Sequence, residues 1–145
     1  MTCIAWDGRT LAADRLMCNG CTSQSTTKIQ RHGSELIGIT GDLSIGLEVR
    51  AWYVAGADPA LFPSSNRNPE KGASLIVVKA TGEVWKFESG PYAFRVEGVF
   101  CAFGSGDEAA LVAMACGKTA AEAVEMAAMF NTTVGHGVDT LELVE

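Results

Sequence analysis

Along the first forty residues, apolar positions cluster in short runs and do not recur every three or four places. Residues 3–6 and 10–14 are two such runs, parted by Asp7-Gly8-Arg9. Short apolar runs around a glycine turn predict a tight β-hairpin. A polar, Ser/Thr-rich stretch over residues 19–27 leads into Lys28-Ile29-Gln30-Arg31. His32-Gly33 then turns the chain, and residues 35–40 read as a further strand. Two hairpins in succession predict a mostly antiparallel sheet.

From Asp42 the period lengthens. Leu43, Leu47, Ala51 and Val54 fall close to one face of a helix that ends near Gly56. Residues 58–72 hold three of the four prolines and little apolar content, which predicts a surface loop about as long as a compact domain tolerates. A second β region follows over residues 74–80 and 83–89, joined at Thr81-Gly82, and over 94–96 and 99–103. A helix beginning at Ser105 or Gly106 has Asp107 and Glu108 at its positive end and stops at Gly117. The next opens on the capping box Thr119-Ala120-Ala121-Glu122 and carries Ala123, Met126, Ala127 and Phe130 at helical spacing. Residues 138–144 form the last strand. This order is that of an α+β protein: a four-layer α/β/β/α sandwich of two stacked, mostly antiparallel sheets with helices outside.

Composition narrows the class without naming a function. At 145 residues, 48% apolar and 19% charged, the chain reads as one globular domain over 1–145. A net charge of −6 with scattered Lys and Arg argues against nucleic-acid binding. No apolar run reaches the roughly 18 residues a membrane span needs. The opening MTCIAWDGRT lacks the basic and apolar regions of a secretory signal, so a cytoplasmic location and reduced thiols are expected for the five cysteines. Cys18 and Cys21 form a CxxC, but no second CxxC accompanies it, and His32 and His136 stand alone. Two small strand or turn residues are the better reading than a metal or redox pair, and neither metal nor cofactor is expected.

Chemistry enters at the N-terminus. Removal of Met1 would leave Thr2 with a free α-amine, and a threonine whose own amine accepts its hydroxyl proton is a recognised nucleophile. An α-amine titrates near pH 8, which suits that task. Met-Thr is by itself uninformative. It gains meaning from its companions: Thr10-Leu11-Ala12-Ala13-Asp14-Arg15, Lys28 after a polar hairpin, Gly38-Ile39-Thr40-Gly41-Asp42 at a strand-to-helix passage, and Gly104-Ser105-Gly106 at another.

In this order, these blocks resemble a proteasome β subunit of the N-terminal-nucleophile (Ntn) hydrolase superfamily, and especially the bacterial HslV-type peptidases. The resemblance runs over residues 2–143 and is weakest over 58–72. It implies Thr2 as the catalytic threonine, Lys28 as the lysine beside it, and Asp14 as the carboxylate that pairs with that lysine. A cation there would favour the deprotonated hydroxyl and the neutral amine. Gly38 matches the glycine whose N–H receives the oxyanion, and Ser105 the serine that hydrogen-bonds near the threonine amine. Cys3 is then a small core residue one place beyond the nucleophile. Asn131 and Val134 stand where the family has a supporting aspartate and serine, a departure from its pattern. Met17 and Leu36 align near the pocket for the residue before the scissile bond, implying a preference for apolar side chains.

The resemblance thus implies a threonine peptidase that hydrolyses polypeptides through an acyl-ester on Thr2 inside a homo-oligomer, two stacked rings in the family. An ATPase unfoldase is a partner the family offers; no nucleic acid or membrane is expected. Two other readings stay open. A catalytically silent shell or scaffold subunit of the same fold would result if Met1 is retained, and an Ntn amidase acting on a small molecule would share the chemistry and differ in the cavity.

Overall fold

The computed structural model describes residues 1–68 and 70–144. β1 (Ile4–Trp6) and β2 (Thr10–Asp14) form the first hairpin. Its turn is set locally: the Asp7 carboxylate accepts from the backbone N–H groups of Arg9 at 3.0 Å and Thr10 at 2.8 Å. β3 (Leu16–Asn19) and β4 (Thr22–Ser25) make a second hairpin with Gly20-Cys21 at its tip. β5 (Ile29–His32) and β6 (Glu35–Gly41) make a third. After helix α1 (Leu43–Val54) come β7 (Ala73–Val78), β8 (Val84–Phe87), β9 (Phe94–Val96) and β10 (Cys101–Phe103). Helices α2 (Asp107–Ala115) and α3 (Ala120–Phe130) follow, and β11 (Val138–Glu142) is last.

The early hairpins do not extend one another as the sequence suggested. β1 and β2 are the middle strands of a four-stranded antiparallel sheet in the order β10-β1-β2-β11, whereas β5 and β6 begin a five-stranded one in the order β5-β6-β7-β8-β9; β3 and β4 pair only with each other. The division follows from side-chain alternation along β1 and β2. Ile4, Trp6, Leu11 and Ala13 face Ile29, Leu36, Ile76 and Val78 of the larger sheet. Cys3, Ala5 and Ala12 point the other way, against the alanines of α2 and α3. On the far side, Ile37, Ile39, Leu75 and Val77 pack on Val49 and Trp52 of α1. Three apolar seams therefore separate four layers.

α1 presents a different face from the one periodicity suggested, and α3 keeps only Ala123 and Ala127 of the expected stripe inside. In α1 the buried residues are Gly46, Val49 and Trp52, while Leu47 and Val54 are exposed. In α3 the buried residues are Ala120, Ala123, Val124 and Ala127, while Met126 and Phe130 lie outside. On α3 small side chains take the inner face and let the helix approach its sheet closely. On α1 Gly46 does this at one point, where a β-carbon would overlap the side chain of Ile39, while Val49 and Trp52 fill the rest of the seam. The capping box forms as expected, with Thr119 Oγ1 accepting from Glu122 N at 3.2 Å and Glu122 Oε1 from Thr119 N at 3.1 Å.

The proline-rich segment is more ordered than a plain surface loop. It contains two short 3-10 turns, Pro59–Leu61 and Ser64–Arg67, and its Pro69 lies outside the described residues. Phe62 joins the α1 seam. Asn66 is fully buried, its Nδ2 donating to the carbonyls of Ala73 and Glu88 and its Oδ1 accepting from Ala73 N at 2.8 Å.

Candidate active site

Asp14 organises the site. It ends β2 with no exposure, and both its oxygens are fully engaged. Oδ1 accepts from Lys28 Nζ at 2.9 Å and Cys3 N at 3.0 Å; Oδ2 accepts from Gly135 N at 3.1 Å and Leu16 N at 3.3 Å. Lys28, just before β5, is only 4% exposed. A buried ammonium is tolerable here because the carboxylate beside it is charged and multiply hydrogen-bonded.

Lys28 Nζ also donates to the carbonyl oxygen of Met1 at 3.1 Å. The hydroxyl of Thr2 donates to that same oxygen at 2.7 Å. The lysine and the threonine hydroxyl thus converge on one atom of the Met1-Thr2 peptide bond. On the other side, Thr2 N donates to Ser105 Oγ at 3.1 Å, and Gly106 N donates to Thr2 O at 3.1 Å. Gly104 permits this close approach: its φ is 94°, and a β-carbon there would overlap the backbone of Thr2. Thr2, Asp14, Lys28 and Ser105, far apart in sequence, are brought together.

A cavity of about 240 Å³ opens beside Thr2, lined by Met1, Leu16, Met17, Cys18, Thr26, Lys28, Ile39, Gly41, Asp42 and Leu43. Met17 is part of this lining. Leu36 is not: it is fully buried between the two sheets. Gly38 is also absent from this lining. A β-carbon on Gly38 would come within 2.8 Å of Ile4 Cδ1, so its small size is explained by packing between sheets.

Gly41 is the glycine of that block which reaches the cavity. Ile39 N donates to Lys28 O at 3.0 Å, so alternate N–H groups of β6 face β5. The N–H of Gly41, two residues on, falls on the same side, beyond the start of β5. The signal for it was present in the sequence: a glycine directly before the N-cap Asp42, where the chain leaves a strand with φ 87° to enter a helix.

Asn131 lies beside Ser105, with Nδ2 donating to Ser105 O at 3.2 Å. Sequence reading missed Thr133, whose hydroxyl is 2.8 Å from Ser105 Oγ and 2.6 Å from Asn131 Oδ1. Val134 is buried against Gly106. Cys3 is fully buried, and its thiol is pushed up to about 12 by burial first, then by Asp14 and Asp107 against a smaller opposing effect of Lys28. At neutral pH it is not a nucleophile. Cys18 borders the cavity and Cys21 is exposed at the hairpin tip; His136 contacts Ser25 at 3.1 Å and is not in the cavity lining. Among the described residues, no three His, Cys, Asp or Glu side chains gather as metal ligands, and no helix is long and apolar enough to cross a membrane.

No family model and no curated protein matches the sequence. Solved structures match the fold. Thiobacillus denitrificans BPH in complex with epoxomicin aligns with a TM-score of 0.71 at 22% identity, covering 100% of both chains. Thiobacillus denitrificans BPH aligns at 0.70 and 22%, covering 99% of this chain and 98% of that one. Eukaryotic HslV from Trypanosoma brucei aligns at 0.72 and 20%, again over 100% of both. From end to end, the chain carries the proteasome-like fold of HslV.

Proposed function

We propose that this chain, once Met1 is removed, is an N-terminal threonine peptidase. The supporting observation is the convergence of Lys28 Nζ and Thr2 Oγ1 on one carbonyl oxygen, at 3.1 and 2.7 Å. Loss of Met1 takes away that shared acceptor and leaves hydroxyl and ammonium facing each other, with the new α-amine held by Ser105. The amine accepts the hydroxyl proton as Thr2 Oγ1 attacks a substrate carbonyl. Lys28, kept charged by Asp14, lowers the energy of the developing alkoxide. The N–H of Gly41, in place of that of Gly38, receives the oxyanion. The protonated amine then gives its proton to the leaving amine. Water activated by the same α-amine hydrolyses the acyl-ester. Leu16, Met17, Ile39 and Leu43 around the cavity favour an apolar residue before the scissile bond.

Polypeptide substrates fit an enclosed compartment, and a homo-oligomer of this chain would provide one. The exposed apolar stripe Met126, Met129 and Phe130 on α3 supports self-association. An ATPase unfoldase remains a partner suggested by the resemblance alone.

A second reading has its own observation. While Met1 is in place, its carbonyl occupies both the lysine and the hydroxyl, so a chain that keeps Met1 is a silent shell subunit. One experiment separates the two. Intact mass gives the N-terminus, and a threonine-directed electrophile is then mapped, with epoxomicin as competitor since BPH is described in complex with it. An adduct on Thr2, absent from Thr2→Ala and accompanied by turnover of apolar fluorogenic peptides, supports the peptidase. Labelled Thr2 with no peptide turnover points to a small-molecule amidase, and retained Met1 to the shell.

A further inference from the structure

The hydrogen-bond network around Ser105 has only one consistent set of donors. Thr133 N can only donate, and at 2.9 Å it meets the Asn131 side chain, so the atom facing it is Oδ1. The opposite end of the amide is then Nδ2, which correctly donates to Ser105 O. Oδ1 has no hydrogen, so the 2.6 Å contact from Thr133 Oγ1 uses the hydroxyl proton of Thr133. Thr133 Oγ1 is left as an acceptor. The proton of Ser105 therefore goes to Thr133 at 2.8 Å in preference to Thr2 O at 3.3 Å, and Ser105 Oγ in turn accepts from Thr2 N.

We infer that Thr133 is a positioning residue, which, together with the neutral amide of Asn131, makes Ser105 an acceptor towards the Thr2 nitrogen. This rests on the proposed threonine chemistry and adds how its base is prepared. An acceptor at Ser105 takes one N–H of the α-amine and leaves the lone pair free to face Thr2 Oγ1. A donor there would engage the lone pair and compete with proton transfer. Asn131 matters through its charge: a carboxylate in its place would favour the ammonium form and raise the pH at which the base becomes available. The other titratable groups around this nitrogen are Lys28 on the β5 side, Asp14 at the end of β2, Asp107 in the first turn of α2, Asp42 at the head of α1, and the thiols of Cys3 and Cys18. None of them changes in the variants below.

The test uses the full chain with Met1 removed. Competitive acylation of the Thr2 α-amine by acetic anhydride across pH, read by mass, gives the amine's midpoint without requiring activity. Thr133→Val frees the Ser105 proton to bond the amine. Its midpoint moves down, acylation of Thr2 by the electrophile slows by about tenfold, and Thr133→Ser restores both. Asn131→Asp moves the midpoint up by about one unit, and the acid limb of the labelling rate moves with it. Unchanged midpoints in Thr133→Val and Asn131→Asp overturn the inference, as does Thr133→Ser behaving like Thr133→Val. If the electrophile never labels wild-type Thr2, the peptidase reading fails by itself, while the amine midpoints still decide the donor assignment.

Discussion

Lys28 and Asp14 illustrate how a buried ion pair is held in the interior, and in the proposed mechanism the same pair also serves the chemistry. Each ion alone would lose several kcal/mol of hydration in the interior. Together, with three backbone N–H groups also donating to Asp14, they are tolerated. Removing one partner leaves the other uncompensated, so Asp14→Asn should lower the unfolding free energy by about 3 kcal/mol, read as a shift in the urea midpoint. It should also abolish electrophile labelling at Thr2 under conditions where the variant is still folded. Both residues could be singled out in the sequence only through the resemblance, which rests on the local blocks LAAD and TTKI. Thr133 could not, because its hydroxyl acquires meaning only where the segment after α3 comes beside Ser105.

At the scale of single elements, the positions of helices were readable but their inner faces were not. α1 is apolar on more than one side, so Leu47 and Val54 offered as good a stripe as Val49 and Trp52. Gly46 decides between them by admitting Ile39. Gly46→Ala should therefore destabilise the protein by about 1–3 kcal/mol despite alanine's better helix propensity. Leu47→Ala, on the exposed side, should stay within about 0.5 kcal/mol; denaturant titrations of both variants check this. The start of α1 adds a pH effect. Asp42 Oδ1 accepts from Ile45 N at 3.0 Å, and this bond first, then the Ser44 hydroxyl, holds its carboxyl below the usual aspartate range. A folded-state value below the unfolded one means that the cap stabilises above about pH 3.9 and fades as pH falls through the folded value. Asp42→Ala should lose about 1 kcal/mol near neutrality, and the gap to wild type should close in acid.

Over the whole molecule, the outer helical layer has an unusual exterior. Met129 and Phe130 are 67% and 91% exposed on α3, and Val112 is 64% exposed on α2. Met126, Met129 and Phe130 stand at i, i+3 and i+4 of α3, and a contiguous exposed apolar stripe of this kind marks a surface for association with another protein. If that protein is a second copy, Met129→Lys combined with Phe130→Lys should lower the mass seen by sedimentation at micromolar concentration and leave the far-UV spectrum unchanged. A wild-type monomer would remove the compartment from the proposal.

That Thr2, Asp14, Lys28 and Ser105 belong together was implied only by the resemblance. What the sequence by itself determined was most of the strands and helices, without β3 and the two 3-10 turns, and the place of the capping box. Those are properties of short-range pattern and turn chemistry. Tertiary structure alone decided which sheet each hairpin joined, which helix face turned inward, and that Gly41 and Thr133, with Gly38 and Leu36 left in the sheet interface, stand at the site. Each of these depends on how closely two surfaces approach, and that distance is fixed by side chains remote in the chain, which no local pattern contains.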